Sequence, residues 1–372
     1  RSALVMFLAR LGSLNALEQT RESKFWSRWI AGDPPSADSM GRICALVNHD
    51  DLRAANHQVY SRLKRNKALV APWHGLTSLV LDGHESHATY RRCCAGCLER
   101  EVTVKSKDGG TETRKQFYHR HVTARLITES LSLMLDAEPI RAGEDEVAAA
   151  MRLLERVITS YPRAFDVVIA DALYTDPRFF KFVRERGKHV LAVLKNENRD
   201  LIRDVRSLCE VTAPVEILSG KRKCQCWDIK GLESWPQVGM PVRVVRSEER
   251  WSVRRQLDGE LEQQVSDWLW VTTLPESLAS TAAVWEIGHS RWTIENEGFN
   301  ELVTRWHADH VYKHDDSAML SFWLICLVAS NVFQAFFLRN LKPQVRAEYS
   351  MLHLARLISS CLYAGIPSRA PG

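Results

Sequence analysis

The feature that most constrains this chain is a pair of short apolar runs that each stop on an aspartate. The first is Leu79-Val80-Leu81-Asp82 and the second is Val167-Val168-Ile169-Ala170-Asp171. Each reads as a strand, and the unbroken apolar character of the second suits a sheet covered on both faces. A third acid, Glu295, stands in Arg291-Trp292-Thr293-Ile294-Glu295-Asn296, which reads as a helix. Two adjacent strands and one helix can bring three carboxylates to a single point. Like charges packed that closely raise each other's pKa, so such a cluster stays ionised only with cations beside it. Oxygen-only ligands suit Mg²⁺ or Mn²⁺. A pair of such ions activates water and stabilises a leaving oxygen in phosphoryl transfer.

The rest of the chain arranges itself around those acids. Residues 1–75 read as helical. Leu4, Phe7, Leu8, Leu11 and Leu14 recur at helical spacing, residues 32–36 form a turn, and Asp38 or Ser39 is placed to cap the next helix. A further helix over 52–67 ends in the basic run Arg62, Lys64, Arg65 and Lys67, which suits a phosphate or a solvated helix end equally. From Leu76 the pattern turns to strands, over 78–82, 116–127, 132–140, 167–171 and 190–194, with helices over 144–160 and 177–186. Residues 76–196 therefore read as an α/β core. Residues 197–281 read as a β-rich insertion, with strands over 215–218, 223–229, 241–247 and 268–273 separated by glycines. Residues 282–340 return to helix and carry Glu295, and residues 341–372 form a tail with one helix over about 345–362.

Composition narrows the class. With 372 residues, 45% hydrophobic and 26% charged, the chain has material for two or three domains or one core with a large insertion. A net charge of +5 permits a nucleic-acid partner without requiring one. An odd count of nine cysteines with no secretory signal fits free thiols in a reducing cytoplasm. Arg1 stands where an initiating Met is expected, so the native start is expected upstream. Residues 318–338 are uncharged and long enough to span a bilayer. Ser321, Ser330, Asn331 and Gln334 interrupt that run, so a buried core helix is expected and no membrane partner. Cys94-Ala95-Gly96-Cys97 has the spacing of half a zinc site, with His119, His121, Cys224 or Cys226 available to complete it.

The order Asp82, Asp171, Glu295, with a long insertion before the glutamate, resembles the DDE transposases of bacterial insertion sequences over about residues 76–340. Arg291-Trp-Thr-Ile-Glu-Asn-Glu-Gly-Phe-Asn300 resembles the Arg-Trp-x-Ile-Glu-Asn form of many of them, and the stretches 81–85 and 169–174 are similar to theirs. Their helix signature Tyr-x2-Arg-x3-Glu-x6-Lys is met at Arg291 and Glu295, while Gly288 stands at the Tyr position and Leu302 at the Lys position. The resemblance implies an RNase H-like mixed sheet flanked by helices, with an insertion that contributes to DNA binding. It implies Asp82, Asp171 and Glu295 as catalytic residues that hold two divalent metal ions, Mg²⁺ or Mn²⁺. It further implies cleavage at transposon ends and strand transfer into double-stranded target DNA, by a homodimer when bound to DNA, in the bacterial cytoplasm. The alternatives are a catalytically decayed remnant that binds DNA, and an RNase H-like metal nuclease that cuts without joining.

Other residues take supporting readings. Arg291, one helical turn before Glu295, is expected to hold a DNA phosphate, with an ion pair to Glu295 as the structural alternative. Lys195, just past the fifth strand, is a second phosphate contact. Glu85 and His84 follow Asp82 closely, and Glu85 is a supporting group for the site. Tyr174 and Trp292 are expected to pack in the core rather than stack on a base. Trp227, Trp235, Trp251, Trp268 and Trp270 crowd the insertion, where one at a loop tip would be free to stack on a flipped base.

Overall fold

The structure, a computed structural model, describes residues 1–30, 32–72, 75–105, 109–195, 199–220, 222–255 and 259–367. Among these residues ten strands form one mixed sheet. They are β1 (Ser78–Thr89), β2 (Leu98–Lys105), β3 (Thr111–Ile127), β4 (Leu133–Pro139), β5 (Val167–Ala170), β6 (His189–Val193), β7 (Val215–Ser219), β8 (Arg222–Leu232), β9 (Val242–Arg254) and β10 (Leu261–Thr272). The order is β2-β3-β1-β5-β6-β10-β9-β8-β7, with β4 also paired to β3. Along β4-β3-β1 the pairing is antiparallel, and along β1-β5-β6 it is parallel. That is the mixed, helix-flanked sheet of RNase H-like proteins.

The apolar runs form central strands because they have two faces to bury. Val80, Val167, Ile169, Leu191 and Val193 join one core, with Phe7, Met40, Ile294, Phe299 and Phe322 from the helical segments on that side. Leu79, Leu81, Val168, Ala170, Val190 and Ala192 join the other, with residues of the helices Glu146–Ser160, Pro177–Glu185 and Arg199–Val211. The alternation follows from the two-residue period of a strand. The sheet is thus sandwiched, which is the only way such runs escape water.

The apolar helix spans Asp316–Ala335 and is a core element. Its length and composition would suit a membrane, yet Phe322, Trp323, Leu324, Cys326 and Leu327 are buried, and the helix packs on β4 and on helices of the N-terminal region. Its one deeply buried amide is fully used. Asn331 accepts from the Met134 N–H at 3.0 Å and donates to the Met134 carbonyl at 2.7 Å and to Asn56 Oδ1 at 2.8 Å. These bonds satisfy backbone groups of β4 that no strand pairs.

Several elements depart from the sequence pattern. Asp82-Gly83 does not turn: β1 runs straight through it to Thr89. β2 carries little sequence signal, whereas the helix Arg199–Val211 repeats Leu201, Ile202, Val205 and Cys209 at helical spacing, a pattern that the β-rich reading passed over. The region after residue 197 therefore opens with a helix. Its strands β7 to β10 then continue the core sheet, since β10 pairs with β6 through Trp270↔Val193, Val271↔Ala192 and Thr272↔Leu191. The first helix stops at Leu8, and a second, Leu14–Gln19, starts on the Ser13 cap. Ser36, not Asp38 or Ser39, caps Ala37–Leu46. The tail holds two helices, Pro343–Glu348 and Met351–Ala364, the second capped by Ser350.

Candidate active site

Sheet register sets two of the acids side by side. In the parallel pair β1–β5, Leu79 is opposite Val168 and Val80 opposite Ile169. Two residues further along each chain stand Asp82, within β1, and Asp171, one residue past the end of β5, neighbours where the parallel pairing of the two strands stops. Open α/β sheets gather ligands at such ends. Two steps along a strand also restore the same face, so both acids point to the side of Val80 and Ile169, where the Glu295 segment packs. His84, two residues beyond Asp82, confirms the facing: its ring stacks on Phe299 at 4.6 Å and on Trp323 at 5.4 Å. Gly83 faces the other way, against the buried carboxylate of Glu146, with which any Cβ would collide.

The segment carrying Glu295 is helical but irregular. The α-helix Thr281–His289 tightens into a 3₁₀ turn at Ser290–Trp292, widens into a π-helix over Ile294–Phe299, and resumes as Asn300–Trp306. A side chain inserted into the backbone ladder produces such a distortion. Here it is Arg125 of β3, 4% exposed, which donates to the Thr293 carbonyl and to Glu297 Oε2. The π turn is a common device at functional sites, and here it lies where Glu295 projects. The preceding helix is pinned to β9, because buried Glu249 accepts from Trp285 Nε1 at 2.9 Å and contacts His289 Nε2 at 2.5 Å.

Each acid has one oxygen tied down. Asp82 Oδ1 accepts from the Gly83 N–H at 2.9 Å, Asp171 Oδ1 from the Leu173 N–H at 2.9 Å, and Glu295 Oε1 from Arg291 Nη1 at 2.9 Å. The second oxygen of each is thereby oriented and left for another partner. Burial, then the charge of Glu295 and that of Asp171, push the Asp82 carboxyl up to about 7, although Arg291 and the Gly83 N–H pull it down. Three acids facing one guanidinium make a site with surplus negative charge, and its donors are all oxygen. Both properties fit hard divalent cations. Among the described residues the ligand atoms that all lie within 4.8 Å of one another belong to Cys94, Cys97, His119 and His314, and the three acids do not form so tight a group.

The remaining expectations sort clearly. Arg291 is 7% exposed and pairs with Glu295, its guanidinium 4.0 Å from the Trp292 ring centre. The ion pair read as the alternative is thus present. Trp292 is not a core residue: it stands 36% exposed, edge-on to Trp268 at 6.1 Å. Tyr174 is fully buried and donates to Glu146 Oε1 at 2.9 Å. Lys195 is exposed, two residues past β6 on the same strand-end edge as Asp171. Glu85 of β1 pairs with Arg100 of β2 at 2.7 Å, across the intervening β3. In the insertion Trp235 and Trp270 are core, while Trp227 and Trp251 lie under Arg246 and Arg222.

Two departures from the helix signature have structural reasons. A Cβ on Gly288 would lie 2.6 Å from the Trp270 indole, so that indole occupies the space a tyrosine would need. Leu302 is 1% exposed in the core, where a lysine could not reach the site. Sequence reasoning missed Arg125 and Glu146, because a charge in a strand or at a helix start gives no sign of what it will meet.

The chain matches the family model described as "Transposase DDE domain" over residues 73–332. No curated protein matches it.

Proposed function

The chain belongs to the DDE transposase family, and on that premise we propose that it cuts DNA at the ends of a transposable element and joins those ends to target DNA. The observation that supports this most directly is the β1–β5 register, which leaves Asp82 and Asp171 as neighbours where the parallel pairing stops, with Asp82 pushed up to about 7 by burial and by the charges of Glu295 and Asp171. In this reading Asp82, Asp171 and Glu295 are the catalytic and metal-holding residues. Two divalent ions, Mg²⁺ or Mn²⁺, supply Lewis acidity that lowers the pKa of water and stabilises the leaving oxygen.

The chain's own residues orient and hold. The Gly83 and Leu173 N–H groups fix one oxygen of each aspartate, and Arg291 fixes one of Glu295. The remaining N–H donors of Arg291 are available to a phosphate beside Glu295. Lys195 adds a cation on the same edge, and the exposed ring of Trp292 offers a stacking face to an unpaired base. Water first displaces the 3′ oxygen from phosphorus, leaving a free 3′-OH. That hydroxyl then displaces an oxygen from phosphorus in the target strand, so no covalent protein intermediate is needed. Double-stranded DNA is the partner, bound by a homodimer, in the cytoplasm and at the nucleoid.

A strand-transfer assay with Mg²⁺ and DNA carrying the element's ends tests the proposal. Joined product supports it. Nicks without joining would reduce the chain to a nuclease, and bound but intact DNA would make it a remnant.

A further inference from the structure

Further along β1 and β3 from Asp82, four metal-ligating side chains meet. Cys94 and Cys97 lie in the connection between β1 and β2, His119 lies on β3, and His314 lies just before the Asp315 cap of the helix Asp316–Ala335. Their ligand atoms all fall within 4.8 Å of one another. Cys94 Sγ and Cys97 Sγ are 3.8 Å apart, too far for a disulfide. His119 Nε2 is 3.3 Å from Cys94 Sγ and 3.2 Å from Cys97 Sγ, and His314 Nε2 is 3.4 Å from Cys97 Sγ.

These spacings have a simple geometric meaning. A tetrahedral zinc ion with bonds of about 2.3 Å to sulfur and about 2.0–2.1 Å to nitrogen separates S from S by roughly 3.8 Å and S from N by roughly 3.6 Å. The observed edges agree to within a few tenths of an ångström. We propose that Cys94, Cys97, His119 and His314 form a closed, structural Cys₂His₂ zinc site. Two thiolates neutralise the ion, and the Cys94 N–H, 3.3 Å from Cys97 Sγ, supports the charge on that sulfur. Four protein ligands leave no open position, so the site holds structure and does no chemistry.

The sequence named three of this set and missed His314. Of the four partners it offered, His119 is used. His121 turns instead to Trp323, ring centres 4.0 Å apart, and Cys224 and Cys226 are buried in β8, toward the opposite edge of the sheet. His314 is brought in by the fold, from a loop whose spacing to the cysteines carries no signal. The site would clasp the hairpin beyond Asp82 to the chain beyond Glu295, and it stands independently of the transposase reading.

The test is metal content of the full chain, freed of any histidine tag and exposed to zinc. Mass spectrometry should find one zinc per chain in the parent protein, in Asp82→Asn and in Cys93→Ser. It should find none in Cys94→Ser/Cys97→Ser or in His314→Ala. Should those variants fail to fold, Co²⁺ added to the parent protein should give the sulfur-to-cobalt charge-transfer band of a tetrahedral thiolate site. A zinc-free parent protein, zinc retained in the double variant, or a cobalt complex lacking that band would each overturn the proposal.

Discussion

Replacing Asp82 by Asn should stabilise the metal-free protein at pH 8 and stabilise it less than half as much at pH 5. Burial and the neighbouring acids hold this carboxyl at about 7, against an ordinary value of 3.8. Between those two values the folded chain keeps a proton that the unfolded chain has lost. Stability therefore falls as pH rises through that window, and the full cost is present above about pH 7. A gap of about three pH units at 1.36 kcal/mol each is on the order of 4 kcal/mol, and relaxation around the charge brings it nearer 2 kcal/mol. Unfolding entropy of about 2.1 cal/mol/K per residue gives roughly 0.8 kcal/mol/K for a chain of 372 residues. The gain at pH 8 should then appear as a Tm about 3–5 °C higher. Asn keeps an oxygen for the Gly83 N–H, so the substitution removes charge and little else. Scanning calorimetry in chelator, at both pH values, measures it. A variant that melts at or below the parent at pH 8, or that gains equally at pH 5, would refute the reasoning.

Three further outcomes can be measured. Arg291→Lys should slow single-turnover cleavage and Arg291→Ala should slow it further, each more than it weakens DNA binding, if the guanidinium that steadies Glu295 also takes a DNA phosphate as proposed; normal cleavage in Arg291→Ala would reduce the residue to an ion pair. DNA affinity should fall steeply with salt, each phosphate contact adding about 0.9 to the slope of log K against log salt; a flat response in a filter-binding titration would contradict a DNA partner. Gly288→Ala should cost roughly 1–3 kcal/mol in denaturant unfolding, since its methyl would sit 2.6 Å from the Trp270 indole; an unchanged midpoint would mean that Trp270 is free to move.

What the sequence disclosed depended on whether a residue's role was local. The runs ending in Asp82 and Asp171 were legible because a strand buried on both faces must be apolar throughout, and a charge at its end stands out. The capped, amphipathic helix Glu146–Ser160 was legible through its period. Trp292 was misread because an aromatic residue beside core positions is usually core, and only the 3₁₀ turn at Ser290–Trp292 turns it outward. The π turn after it receives hydrogen bonds from Arg125, more than 160 residues away in the chain. β2 was missed because Leu98–Lys105 is mostly polar and exposed, held by pairing to β3 rather than by a buried face. Glu146 and His314 likewise acquire their partners only when distant segments meet.

The central claim is that Asp82, Asp171 and Glu295 act as one catalytic set. The direct measurement is cleavage of end-bearing DNA at saturating Mg²⁺ by Asp82→Asn, Asp171→Asn and Glu295→Gln, with DNA affinity measured in parallel. Each variant keeps its shape and loses the charge that holds the ions. The account predicts that all three lose cleavage while DNA binding stays within about tenfold of the parent protein. Near-normal cleavage by any one of the three would contradict it and remove that residue from the set.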